Sequence, residues 1–266
     1  MLQYDFQEMI WEYARLHNRR MPWRDNTDPY YILVSELMLQ QTQVDRVIPK
    51  FHAFIAGFPS TKALASVPLS RVLGLWSGLG YNRRAKFLWQ AAKKIEKDFN
   101  GVIPETYDEL VSLPGVGPGT AGAIMAYAFN QPIVFIETNI RTVFFHHFFN
   151  DREKVTDKEL RQKVEEMLDY ENPREWYWAL MDYGTSLKKQ GLGRLDISAH
   201  YKKQSTLKGS MREMRGLIIK ALHEEPMGEE KLKHIVKGDK RFLPALKALI
   251  KEEMIIKTAD DLYALA

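Results

Sequence analysis

Apolar residues recur three and four positions apart in Phe6-Met9-Ile10-Tyr13-Leu16, in Ile32-Leu33-Leu37-Met38 and in Leu160-Val164-Met167-Leu168. That spacing gathers them on one face of a helix. Thr61, Pro68-Leu69-Ser70 and Pro104-Glu105-Thr106 read as helix starts, with a capping oxygen or an early proline. No apolar–polar alternation runs long enough for a sheet before residue 186, so residues 1–186 are expected to be a mostly α domain that closes around Ser186. Residues 187–210 are polar and basic, include Gly191, Gly193 and Gly209, and read as a linker. Beyond it the pattern predicts helices over Met211 to Leu222, Gly228 to Val236 and Arg241 to Glu253. A hairpin, Met254 to Lys257 and Leu262 to Leu265, follows around Asp260-Asp261. Three helices and a two-stranded hairpin predict a small winged-helix-like module over residues 211–266 that the first domain does not need for its core.

Charge alters this picture in one place. The net charge of +4 over 266 residues permits an anionic partner without demanding one. Between residues 188 and 208, however, Lys188, Lys189, Arg194, Lys202, Lys203 and Lys208 face only Asp196. The run is either a solvated loop or a phosphate-contacting surface. Hydrophobic residues make up 45% of the chain, enough for a core, and no stretch approaches the ~18 apolar residues of a membrane span. The charged, amphipathic N-terminus does not read as a signal peptide, and a cytoplasmic, nucleoid-associated location without membrane contact is expected. There is no cysteine, hence no disulfide, thiolate nucleophile or thiolate-held metal or iron–sulfur cluster.

Leu113-Pro114-Gly115-Val116-Gly117-Pro118-Gly119-Thr120-Ala121 lies between two helical stretches. Leu113 and Val116 would plug a core while Gly115 and Gly117 allow a tight turn. The turn opens straight into a helix, whose first amides form an anion site suited to a phosphate. Two acids also stand out. Glu36 is the acid within the apolar segment Ile32 to Leu39, and burial there would raise its pKa into the range of a general acid. Glu137 ends the apolar run Ile133 to Ile136 and is placed to cap a helix beginning near Asn139. Two carboxyls in different surroundings suit cleavage of a bond to a sugar: one protonates the leaving group and the other steadies the cation or guides water.

Together these segments resemble the HhH-GPD superfamily and, within it, the MutY-type adenine DNA glycosylases. The resemblance runs from about Met21 to Tyr183. It rests on Pro22-Trp23-Arg24, Asp28-Pro29-Tyr30, Ser35-Glu36 through Val44, Leu75-Trp76-Ser77-Gly78-Leu79-Gly80-Tyr81, the glycine hairpin and Ala179-Leu180-Met181-Asp182-Tyr183-Gly184. It implies a helix-hairpin-helix fold of two helical subdomains, with Glu36 as the acid that protonates the base and Glu137 at the place of the family's catalytic aspartate. Trp23, Arg24, Asn139 and Asp182 would line the base pocket. Gln41 and Tyr81 would wedge into the duplex around a flipped base. Gly115, Gly117, Gly119 and Thr120 would hold DNA phosphate, and such hairpins also hold K+ or Na+, here on the carbonyls of Val111, Leu113 and Val116.

The departures carry expectations of their own. Glutamate stands for aspartate at 137. Gly119 occupies the position where bifunctional relatives carry a Schiff-base lysine, which implies a monofunctional enzyme. The family's four cluster cysteines after Gly184 give way to the basic run, so Lys188, Lys189, Lys202 and Lys203 are expected on DNA and no cofactor is required. The module over residues 211–266 stands in place of the usual C-terminal MutT-like domain. The implied activity is that of a monomeric glycosylase that removes adenine, opposite 8-oxoguanine or guanine, from damaged or mismatched duplex DNA. Removal of mismatched thymine or uracil, and non-catalytic lesion binding, stay open as alternatives.

Overall fold

The computed structural model describes residues 1–199 and 206–266; Lys202 and Lys203 lie outside the described residues. In chain order the described helices are α1 (Gln3–His17), α2 (Pro22–Asp25), α3 (Pro29–Leu39), α4 (Val44–Gly57), α5 (Thr61–Ala65), α6 (Leu69–Trp76), α7 (Arg83–Asp98), α8 (Tyr107–Val111), α9 (Pro118–Tyr127), α10 (Thr138–Phe148), α11 (Asp157–Glu166), α12 (Pro173–Lys189), α13 (Met211–Glu224), α14 (Glu229–Ile235) and α15 (Phe242–Lys251). Strands β1 (Ile255–Lys257) and β2 (Tyr263–Leu265) complete the chain. None of these helices is long and apolar enough to cross a membrane.

The described residues form two compact units. The first holds residues 1–36, 105–112 and 116–199. In it α1 lays Phe6 and Ile10 against α12, and the Phe6 ring meets Phe144, Phe148 and Trp176 edge-on. Leu16, on the same helical stripe, is left exposed beyond the end of that contact. α11 starts with a reciprocal capping box between Thr156 and Glu159. α10 packs along α12. A Cβ on Gly184 would stand 2.5 Å from the Asn139 carbonyl oxygen, so only glycine lets the backbones approach this far.

The second unit holds residues 37–104, 113–115 and 206–266. Its C-terminal part shows the predicted order of three helices and a hairpin, with Ile255 opposite Leu265, Asp261 turning the chain at φ +63°, and Met227 bridging to Tyr263. This segment groups with α4–α7 in one compact unit, where the sequence pattern suggested a module that stands apart from residue 211. Gly74 of α6 makes room for the His223 ring of α13, the Ser70 amide donates to the Ala266 carbonyl at 2.6 Å, and Lys86 pairs with Glu253 at 2.9 Å. The linker is corrected as well. α12 continues through Lys189, and a 3-10 turn, Leu195–Ile197, buries Ile197 beside α10, where Val155 bridges Ser198. An apolar isoleucine within an otherwise polar run holds that stretch to the first unit.

Candidate active site

α3 is apolar around most of its circumference, with Tyr30, Ile32, Leu33, Val34, Leu37 and Met38 all buried, so any acid on it is held among hydrocarbon. That acid is Glu36. Part of its surface stays accessible, yet protein packs densely around the carboxyl, and no described residue donates a hydrogen bond to it. Burial first, and the charge of Glu137 second, push its pKa up to about 8.

Glu137 sits at the N-cap of α10 and accepts hydrogen bonds from the amides of Asn139 and Ile140. Burial raises its pKa too, but those amides and the Lys188 ammonium pull the other way. The capped carboxyl therefore ionises first, and its charge then keeps Glu36 protonated, while a neutral Glu36 exerts no charge in return. One protonated and one ionised carboxyl result, each fixed by its own surroundings.

Two buried polar atoms of this unit have no hydrogen-bond partner among the described residues: the Tyr127 hydroxyl, which lies within electrostatic reach of Glu36 and Glu137, and Asn139 Oδ1, two positions after Glu137. The Tyr127 ring stacks on Trp178 with centroids 6.1 Å apart and meets Phe135 edge-on at 5.9 Å. Burial above all, and the negative charge of Glu137, hold the phenol protonated, as a donor. Asn139 spends its amide nitrogen on Met181 Sδ at 3.7 Å, which leaves the acceptor unspent. Polar groups buried unpaired cost stability, and they persist where a ligand is to meet them.

Trp23 is buried at the start of this region, in α2. Arg24 lies 5.4 Å from the Trp178 ring and donates to both oxygens of Asp182, at 2.8 and 2.9 Å. Arg19 adds its Nε at 2.6 Å and its amide at 3.2 Å. Four donors fill the acceptor sites of one carboxylate. Asp182 is thus a brace under Arg24, which corrects the expectation that it contacts a base.

In the hairpin, Gly115 has φ +81° and requires glycine on that ground alone, while its Cβ would also strike Phe87 at 2.7 Å. Gly117 is the extended N-cap of α9, and Gly119 and Thr120 follow in its first turn, where amides lack intrahelical acceptors. Leu113 and Val116 are buried as the plug residues.

Lys188 and Lys189 end α12 and are exposed. Desolvation by the surrounding protein lowers the Lys188 pKa and the charge of Glu137 raises it, which places this ammonium within electrostatic reach of that carboxylate. The chain contains no cysteine, so it offers no thiolate to bind an iron–sulfur cluster.

In the second unit Gln41 and Tyr81 both hold left-handed backbones, at φ 56° and 48°. Arg84, buried on α7, donates to the carbonyls of Leu37, Met38, Gln40 and Gly80 and to Thr42 Oγ1 at 2.7–3.1 Å, and stacks on Trp76. Burial brings its pKa down to about 10, so it remains a cation. Tyr127, Arg19 and Arg84 were missed in the sequence. Tyr127 reads there as a core aromatic and Arg84 as part of a surface basic run.

Two half-buried acids, one of them the cap of a helix, together with a glycine turn that opens another helix, define a helix-hairpin-helix scaffold. The chain belongs to the HhH-GPD superfamily of base excision DNA repair proteins, whose model matches residues 34–169. It is 37% identical over 180 residues to the adenine DNA glycosylase of Buchnera aphidicola subsp. Baizongia pistaciae, a match covering 67% of this chain and 51% of that protein. It is 42% identical over 132 residues to the Mycobacterium tuberculosis enzyme of the same name, covering 49% and 43%. The chain thus spans about half the length of the curated relatives it matches. Among solved structures, a thermostable thymine-DNA glycosylase superposes with TM-score 0.64 and 26% identity, covering 68% of this chain and 85% of that one. Endonuclease III in a trapped DNA complex, at TM-score 0.58 and 19% identity, shares the fold.

Proposed function

We propose that this chain is a monofunctional DNA N-glycosylase of base excision repair that flips adenine out of duplex DNA and hydrolyses its bond to the sugar. The observation that carries the reading is Glu36 held among apolar side chains, which raises its pKa, within electrostatic reach of Glu137, whose carboxylate accepts from two amides at the start of α10. Glu36 gives its proton to a ring nitrogen of the flipped adenine. The base then leaves with the electron pair of the glycosidic bond, and an oxocarbenium-like sugar forms. The Glu137 carboxylate steadies that cation and orients the water that adds to the sugar, and the proton this water sheds restores Glu36. Tyr127 and Asn139 supply a donor and an acceptor for the base or the water. Amides of Gly119 and Thr120 at the start of α9 would hold the DNA backbone. Adenine is preferred because a purine gains most from ring protonation, and the adenine glycosylase relatives share this preference by name. The partner is duplex DNA, the protein acts as a monomer in the cytoplasm, and the base opposite is 8-oxoguanine or guanine.

A second reading, excision of mismatched thymine, draws on the likeness to the thymine-DNA glycosylase. Incubation with duplexes carrying 8-oxoG:A, G:A, G:T and G:U, followed by alkali, separates the two. Strand cleavage at adenine is expected, and cleavage only at thymine or uracil sinks the adenine reading. No cleavage of any duplex would make the chain a binding protein. Gly119 offers no amine, so borohydride should trap no protein–DNA adduct, and a stable adduct would overturn the monofunctional assignment.

The pH profile follows from the acid pair. The single-turnover rate should hold below pH 8 and fall about tenfold per unit above it, as Glu36 loses its proton. On the acid side the rate should fall as Glu137 becomes protonated, at a pH above the ordinary glutamate range. A rate that keeps rising through pH 9 would exclude Glu36 as the acid.

A further inference from the structure

The segment from α13 to β2 is rich in both signs of charge, and the two signs are disposed differently. Most of its acids are matched by a nearby cation: Glu225 by Lys231, Glu229 and Glu230 by Lys233, Asp239 by Arg241 and Asp261 by Lys257. Just past the end of α15, Glu252 accepts from Arg83 at 2.5 Å and from both terminal nitrogens of Arg215 at 2.9 and 2.6 Å, and Glu253 pairs with Lys86. Lys237, Lys240, Lys247 and Lys251 are left over. All four are exposed, and none enters an ion pair among the described residues.

These lysines form a row. α15 buries Phe242, Ala245, Leu246 and Leu249 and packs on α13 and β1, so its solvent side carries Leu243, Lys247, Ile250 and Lys251 at three- and four-residue steps. Lys240 stands just ahead of the helix. Lys237 and Gly238, left-handed at φ 54° and 63°, make the turn that joins α14 to α15. Ten residues of helix span about 15 Å, the length of roughly four base-pair steps.

A row of cations matches a polyanion of regular repeat, and lysine, a compact point charge, suits a phosphate. The exposed face of α15 holds no arginine, asparagine or glutamine to read a base edge, and no aromatic ring to anchor in a lipid surface. Its place in the second unit points the same way. Glu252 and Glu253 tie the end of the row to the first turn of α7, which begins two residues after Tyr81.

We propose that the exposed face of α15, with Lys237 and Lys240 ahead of it, is a second grip on duplex DNA that holds backbone phosphates to one side of the excised base, whatever the sequence there. The proposal rests on the reading of the chain as a DNA glycosylase. It gives the C-terminal segment the task of lengthening the contact.

The test uses the full chain and a long duplex carrying a tetrahydrofuran abasic analogue, from which no base can be released. Replacing the four lysines with alanine should lower the slope of log affinity against log salt by at least about 2, since each phosphate contact contributes about 0.9. Affinity at physiological salt should fall at least about tenfold, equally with guanine or adenine opposite the analogue. Arginine at the four positions keeps the charges and should restore the slope. Hydroxyl-radical footprinting should show protection to one side of the analogue that the alanine variant loses, while protection at the analogue stays. All four side chains are exposed, so the variants should melt with the wild type. An unchanged slope, a footprint unaltered or weakened evenly on both sides, or failure of arginine to restore the slope would each overturn the proposal. An unchanged slope with loss of binding to phosphatidylserine vesicles would assign the face to a lipid surface instead. The duplex-cleavage panel reports separately on the glycosylase reading. Lysine-dependent binding in a protein that releases no base would defeat that reading and leave the second grip standing.

Discussion

Glu36→Gln should abolish base release while leaving DNA affinity within about threefold of wild type. General acid catalysis contributes about 10²–10⁴-fold, and glutamine offers no transferable proton at this place. The same substitution should have a second, opposite signature in stability. The Glu36 pKa is raised from its ordinary 4.5 to about 8 in the folded protein. Folding is therefore favoured most below the unfolded-state value, and that advantage is lost as pH rises through the folded one. Wild type should lose thermal stability relative to Glu36→Gln between pH 5 and pH 8.5. A variant that keeps a tenth of the single-turnover rate would remove Glu36 from the mechanism, and parallel stability curves would show that the carboxyl is not held in hydrocarbon.

Gly184→Ala is expected to damage both stability and catalysis from a position that carries no chemistry. The added methyl would meet the Asn139 carbonyl oxygen at 2.5 Å and its Cβ at 2.8 Å, so α10 must shift away from α12. Overpacking of this kind costs about 1–3 kcal/mol, a fall of several degrees in Tm. The first turn of α10 carries Glu137 as its cap, and a displacement near 1 Å at a reacting group can cost about 10²-fold in rate. The single-turnover rate at saturating enzyme, measured well below the lowered Tm, should fall by at least tenfold. A variant with wild-type rate and Tm would mean that the two helices slide apart freely.

What was legible in the sequence is what local chemistry writes there. The α1, α3 and α11 faces follow from three- and four-residue spacing, the hairpin from its glycines, and the order of the C-terminal elements from their own periodicities. Glu36 and Glu137 were found because an acid amid hydrocarbon, or at its end, is conspicuous in one dimension. Pairings distant in the chain were not legible. Asp182 looks like a free carboxylate until Arg19 and Arg24, some 160 positions away, are seen to fill its acceptors. Tyr127 looks like packing until its hydroxyl is found unpaired. Lys188 counts as one of a basic run until its neighbour proves to be Glu137. The union of residues 206–266 with α4–α7 depends on small features, Gly74 beneath His223 and a terminal carbonyl on Ser70, that carry no sequence signature.

Arg84 donates to the carbonyls just before Gln41 and just before Tyr81, so the two left-handed residues hang from one guanidinium. Mechanically, that makes them two teeth of a single rigid tool. Charge-assisted hydrogen bonds contribute about 1.5–3 kcal/mol apiece, and several act here at once. Parting stacked bases costs a few kcal/mol per step. When two bodies press together, the softer one yields. If these residues meet duplex DNA as the proposed function requires, a protein side braced this firmly leaves the deformation to the DNA, and least work is needed where the helix is already weakened by a mispair. Under that proposal, stiffness in a single side chain becomes a way of sensing compliance in the partner before any base is read.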